Sequence, residues 1–234
     1  MRIIAHRGRQ AGAAENTTSA LCSLTSAVAG IEVDVRVTSD GVPILMHDMD
    51  VGRTTSACGS VEAMAYSKVQ ELRVRGTEEA PPELGAYLRD ALVRLEEVCV
   101  TSRPDIYLDV KVRRADLRER LAQYIASTPF YRRVVCLGRT AEDIASFVVG
   151  GGSRLRLGML GCNRQNAKES IGIAEAFGLE VLFIRHGFRS LQMNSSVIAE
   201  IRARGIECGG SVLSGEAALR YARAVGCEVV LADL

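Results

Sequence analysis

Short apolar runs rich in Val, Ile and Leu alternate along this chain with longer stretches in which apolar positions recur at helical spacing. The short runs predict strands near residues 2–7, 30–37, 42–47, 105–111, 133–138, 154–160, 180–185, 206–212 and 228–232. The longer ones predict helices over 15–29, 115–127, 140–149, 165–177, 195–204 and 215–225. Gly30, Gly150, Gly178, Gly205 and Gly226 follow or close these helices and read as stops at the C′ position. Strands alternating with helices build parallel sheets. Depending on how 30–37 and 42–47 are merged, the count is eight or nine strands, and closure into an α/β (β/α)8 TIM barrel suits that count and length.

One stretch breaks the rhythm. Residues 48–90 carry Arg53-Thr54-Thr55, a turn at Gly59 and the pair Pro81-Pro82, with no clean alternation of strand and helix. The segment leaves from His47 and is expected to be an insertion or lid after the second strand region, beyond the C-terminal face of the barrel. Its Met64, Ala65, Tyr66, Val69 and Leu72 could form a small core or an apolar groove. No linker or repeat divides residues 1–234, so a single domain is expected.

Composition narrows the function classes. Lys+Arg 29 against Asp+Glu 28 gives a net charge of +1, and aromatics are 5% of residues, which argues against a nucleic-acid partner. The seven cysteines form no C-x-x-C pair and read as reduced structural thiols. The chain enters a strand at once without a leader-like segment, and no run is long and apolar enough for a membrane span, so a cytoplasmic protein is expected. A homo-oligomer is compatible with the pattern.

The polar residues on the strands are more telling. Glu32 and Asp34, two apart in Glu32-Val33-Asp34, project from one face of their strand. His6-Arg7 ends the first strand, His47 ends a later one, and Asp109 and Lys111 lie on the strand Leu108-Asp109-Val110-Lys111. All seven fall where a barrel carries its chemistry. Three carboxylates converging in a desolvated interior need a cation, and oxygen-only ligands favour Mg2+ or Ca2+. Arg7 and Lys111 could neutralise a phosphoryl group, and imidazole is suited to both halves of the proton work. Blander readings pair Glu32 and Asp34 with Arg36, and Asp109 with Lys111, as internal salt bridges. A single metal-assisted phosphate site accounts for the whole set.

In order, His6-Arg7-Gly8, Glu15-Asn16-Thr17 with Ala20, Glu32-Val33-Asp34-Val35 with Thr38 and Asp40-Gly41, His47-Asp48, Arg53-Thr54-Thr55, Leu95-Glu96-Glu97 and Leu108-Asp109-Val110-Lys111 resemble the glycerophosphodiester phosphodiesterases. The motifs cover residues 1–111; beyond them the likeness is mainly barrel rhythm, ending in Val229-Val230-Leu231-Ala232-Asp233. The resemblance implies a TIM barrel that hydrolyses a glycerophosphodiester, a small-molecule substrate, to sn-glycerol 3-phosphate and an alcohol with Mg2+ or Ca2+. It implies His6 and His47 as the acid/base pair, Glu32, Asp34 and Asp109 as metal ligands, and Arg7 and Lys111 as phosphate contacts. It also implies attack on phosphorus by a neighbouring substrate hydroxyl, giving a cyclic phosphate that water then opens.

The chain departs from the family pattern in places. Asp109 stands where Glu is usual, Gly138-Arg139 where Ser-Phe is usual, and Cys208-Gly209-Gly210-Ser211 where a Trp is expected. Arg185-His186 ends the sixth barrel strand. These changes predict Arg139, Arg185 or His186 as contacts to a polar or anionic headgroup, with Gly209-Gly210 leaving room for it. Alternatives are a lysophospholipase D-like enzyme, a sugar or opine phosphodiester hydrolase, and a non-catalytic barrel that binds phosphate esters.

Overall fold

The computed structural model describes residues 1–10, 12–99, 105–185 and 187–234. Its strands are β1 (Arg2–Ala5), β2 (Gly30–Val37), β3 (Pro43–Leu45), β4 (Asp105–Val110), β5 (Val134–Gly138), β6 (Arg156–Cys162), β7 (Val181–Ile184), β8 (Glu207–Ser214) and β9 (Val229–Asp233). All but β3 run parallel, and the sheet closes because β1 pairs with both β2 and β9. The result is the predicted eight-stranded parallel TIM barrel. Its helices are α1 (Tyr66–Val69), α2 (Leu84–Val98), α3 (Ala115–Ser127), α4 (Ala141–Gly151), α5 (Ala167–Phe177), α6 (Phe188–Met193), α7 (Ser195–Ala203) and α8 (Glu216–Ala224). Among the described residues no helix is long and apolar enough to cross a membrane.

Alternation along the strands fills the barrel in layers. At the bottom, Arg2 bonds Asp105 and Glu207 (2.7 Å), and Arg156 bonds Asp105 (2.5 Å) and Glu180 (2.8 Å). Above them an apolar layer packs Ile4, Tyr107, Val135, Leu137, Phe183 and Leu231, with Tyr107 and Phe183 edge to face at 5.8 Å. The next inward positions, at the C-terminal ends of the strands, are charged.

Three expectations give way. The predicted helix over 15–29 is a turn followed by one 3-10 segment, Ser19–Ser23. Its hydroxyls bond locally instead, Thr17 to the Ala14 carbonyl (2.9 Å) and Ser23 to that of Ala20 (2.6 Å), which competes with helical pairing. Gly30 is therefore no helix stop. It opens β2, where a Cβ would lie 2.2 Å from the Asp105 carbonyl oxygen. Gly150 lies within α4. Among the stops that hold, Gly178 sits in the left-handed region at φ 65°.

The run at 42–47 is not a barrel strand. β3 pairs antiparallel with β2, Val35 opposite Leu45 and Val37 opposite Pro43. The irregular segment after it ends sooner than expected, because Glu83 follows Pro81-Pro82 and caps α2 by accepting from the amides of Gly85 (2.8 Å) and Ala86 (2.9 Å). Ile44, Met46, Val51, Val61 and Val69 form a separate small core, with Met64, Tyr66 and Leu72 against it. Of the apolar residues 64–72, Val69 is buried in this core and Met64, Tyr66 and Leu72 are partly buried against it.

Candidate active site

Register places the carboxylates. β2 and β4 pair with Glu32 opposite Tyr107 and Asp34 opposite Asp109, so three carboxylates occupy neighbouring inward positions near the top of the barrel. All three are buried, and each offers an oxygen within 4.8 Å of the others. Lys111 follows β4 directly and places Nζ 2.7 Å from Asp109 Oδ2 and 3.1 Å from Asp34 Oδ1.

β1 is short, and its end brings His6 and Arg7 beside these acids. Arg7 adopts a left-handed conformation (φ 57°) that turns its amide to Glu32 Oε2 at 3.0 Å. Its guanidinium bonds Glu15 at 2.7 Å, while the buried Nε makes no hydrogen bond among the described residues but lies 3.6 Å from Asp34 Oδ2, an ion pair with one of the acids. Asn16, also left-handed, clamps Asp34 twice, donating to Oδ2 and accepting from the backbone amide, both at 3.0 Å. His6 is 8% exposed; Nδ1 lies 2.9 Å from Asp233 Oδ1 and Nε2 3.9 Å from Glu32 Oε2. That bond holds the Asp233 carboxyl below its ordinary range.

The returning β3 accounts for His47. β1 pairs only with the lower end of β2, Gly30 and Ile31, and β3 takes the same side of β2 higher up, running back toward the site. The chain thus descends to His47, whose carbonyl accepts from Arg36 Nε at 2.9 Å. Arg36 is spent there and on Glu62 (3.0 Å), not on Glu32 or Asp34. His47 Nδ1 lies 2.7 Å from Asp48 Oδ1. Asp48 bonds Arg53, Arg53 bonds Glu15, and Glu15 bonds Arg7, so an ionic chain ties the excursion to the barrel. Burial works against the Asp48 carboxylate, yet the bonds from Arg53 and His47 hold it below its ordinary range. Both imidazoles are thus held through Nδ1 by a carboxylate.

His6, Arg7, Glu32, Asp34, His47, Asp109 and Lys111 all line one cavity of about 430 Å3. Its electrostatics are uneven. Lys111 spans Asp34 and Asp109, whereas the hydrogen bond to Glu32 comes from a backbone amide. Burial, and then the charges of Asp34 and Asp109, push the Glu32 carboxyl well above the usual range. A buried carboxylate so poorly compensated fits a cation among the three acids, and the oxygen donor set suits Mg2+ or Ca2+.

The altered side of the cavity is more selective than its sequence suggested. Arg139 lines it but grips Asp109 with two bonds of 2.6 Å. Burial disfavours the Asp109 carboxylate, but these bonds and Lys111 bring it below its ordinary range. Arg185 also lines the cavity, and His186 lies outside the described residues. Gly209 leaves no room for a headgroup: a Cβ there would lie 2.4 Å from the Phe183 ring, so Phe183 fills the space. Ser211 and Val212 supply the wall instead, Val212 in a left-handed conformation (φ 50°) rare for a β-branched residue. Asp233, Asp48 and Arg36 are contributors that strand spacing did not single out.

Comparison with known proteins bears on the family and the fold. The model of the glycerophosphoryl diester phosphodiesterase family matches residues 6–124. Glycerophosphodiester phosphodiesterase 1 of Rattus norvegicus is 37% identical over 113 residues, 46% of this chain and 33% of the relative. The Homo sapiens protein is 32% identical over 140 residues, 57% of this chain and 41% of the relative. The matched region is thus well under half the length of these curated relatives. Among solved structures, a phosphodiesterase of Oleispira antarctica in complex with the product sn-glycerol-3-phosphate superposes with a TM-score of 0.80, at 18% identity, covering 100% of this chain and 93% of that one. A glycerophosphodiester phosphodiesterase of Agrobacterium tumefaciens gives a TM-score of 0.77 at 21% identity, covering 100% and 95%.

Proposed function

The chain belongs to the glycerophosphoryl diester phosphodiesterase family, and from that premise we propose that it hydrolyses a glycerophosphodiester to glycerol 3-phosphate and an alcohol. The observation that carries this reading is the convergence of two carboxylate-anchored imidazoles, three buried carboxylates and two cations around one cavity.

Glu32, Asp34 and Asp109 would hold a divalent cation, Mg2+ or Ca2+, which when bound supplies Lewis-acid stabilisation of charge at phosphorus. Arg7 and Lys111 orient the phosphodiester through their cationic side chains. One imidazole takes the proton of the attacking hydroxyl at Nε2, and the other gives a proton to the departing alkoxide. Asp233 and Asp48 keep the imidazoles oriented. The segment between His47 and α2 acts as a cap that fixes His47 within a single domain.

Release of glycerol 3-phosphate from glycerophosphoglycerol tests the assignment. His6→Ala and His47→Ala each lower kcat by about 100- to 10,000-fold with the circular dichroism spectrum unchanged. Full activity in either variant removes that histidine from the chemistry.

A further inference from the structure

Four cationic side chains line the cavity against three carboxylates. Arg7 is held by Glu15, Lys111 by Asp34 and Asp109, and Arg139 by Asp109. Arg185 differs. Its amide donates to the Cys162 carbonyl (2.8 Å), fixing the backbone at the end of β7, while its exposed guanidinium has no carboxylate partner among the described residues.

The surroundings of Arg185 are polar and basic. The neighbouring wall is the bulged end of β6, where Gly161 (φ 96°) turns the chain and Asn163 and Asn166 both donate to its carbonyl. Arg164, on the loop after β6, and Arg189, on α6, are exposed and bring further positive charge to the C-terminal rim. Two acids at the starts of helices on this rim are committed elsewhere: Asp143 caps α4 by accepting from the Arg139 and Thr140 amides, and Glu216 on α8 pairs with Arg220, while the exposed Glu169 in the first turn of α5 forms no ion pair with Arg185. Among the described residues, Arg7, Lys111 and Arg139 are each committed to a carboxylate, and Arg185 alone of the four is not. A simple phosphodiester brings a single negative charge at the acid cluster, which leaves Arg185 on the β6–β8 side without an anionic partner. At about 430 Å3 the cavity also has volume for a group beyond the diester.

We infer that the alcohol half of the substrate carries a second phosphate, and that Arg185 is the specificity-determining residue that pairs with it. The inference rests on the phosphodiesterase reading and adds the substrate class to it. Guanidinium suits the role because it binds phosphate through two parallel charge-assisted bonds.

A matched pair of substrates isolates the second charge: glycerophosphoglycerol and the same diester with a phosphate on its free terminal hydroxyl. Wild-type protein is expected to show kcat/KM about tenfold or more higher for the phosphorylated diester, and Arg185→Gln to bring the ratio within about twofold, chiefly through KM on the phosphorylated substrate. Equal or better turnover of the unphosphorylated diester by wild type overturns the inference and leaves the phosphodiesterase reading intact. Equal losses on both substrates in Arg185→Gln remove Arg185 from the role. Calorimetric binding of both diesters to His47→Ala protein, with and without Arg185→Gln, decides the matter independently of turnover. About tenfold tighter binding of the phosphorylated diester, lost with Arg185, supports the inference even if neither is hydrolysed; equal binding overturns it.

Discussion

Arg139→Ala is expected to weaken the metal-free protein and tighten its hold on a divalent cation. In the structure Arg139 donates to both oxygens of Asp109 at 2.6 Å, while Lys111 reaches one of them at 2.7 Å. A cation entering among Glu32, Asp34 and Asp109 must displace part of that grip. Two charge-assisted bonds to a buried carboxylate would contribute several kcal/mol in full burial, but the guanidinium is 46% exposed, which reduces the sum to about 1–2 kcal/mol. Lys111 remains to neutralise Asp109, so the fold survives. For a chain of 234 residues the loss corresponds to a Tm lowered by about 2–8 °C in chelator. The same free energy returns when a cation no longer competes with Arg139, giving about 5- to 30-fold tighter binding. Thermal melts in chelator and calorimetric titration with Mg2+ measure the two effects, which have opposite signs. A lower Tm with unchanged or weaker Mg2+ affinity would refute the idea that Arg139 and the cation compete for Asp109.

Three further outcomes follow from the geometry. Asp233→Asn lowers kcat by about 10- to 100-fold at nearly constant KM, because His6 loses its anionic partner while the phosphate contacts are untouched; a change confined to KM contradicts the positioning role. Glu32 binds its proton more tightly in the folded protein than in the unfolded chain, so metal-free stability falls as pH rises from 4.5 through its raised value. Melts in chelator at pH 5 and pH 8 show that fall in wild type, Glu32→Gln flattens it, and Mg2+ restores stability at pH 8 to wild type alone. Gly8→Ala places a methyl group 2.3 Å from Tyr87 Oη at φ +66°, costing about 1–3 kcal/mol, and adding Tyr87→Phe recovers part of it; chemical denaturation that leaves Gly8→Ala as stable as wild type refutes the close contact.

Strand periodicity carried the barrel and its charged layer, because alternation determines which side chains face inward whatever the neighbouring elements do. Glu32, Asp34 and Asp109 were legible for that reason. Three other features depend on pairings between distant segments. His47 reads as the end of a strand, but that β3 runs antiparallel is not in the sequence, and only its pairing with β2 shows why the chain returns to the site. Asp233 became meaningful once β9 closed against β1, which brings the last strand to the first histidine across 227 positions of sequence. Gly209 read as space for a ligand, whereas the Phe183 ring on the adjacent strand already fills it. The helix expected over 15–29 failed for a local reason that the sequence did contain, the density of Ser and Thr.

The most direct test of the account is metal add-back to chelator-stripped protein with glycerophosphoglycerol as substrate, reading glycerol 3-phosphate. The account predicts no release in chelator, release restored by Mg2+ or Ca2+, and none restored in Glu32→Gln. Equal release with and without the cation, or full activity in Glu32→Gln, would contradict a metal-assisted phosphodiesterase built on the three buried carboxylates.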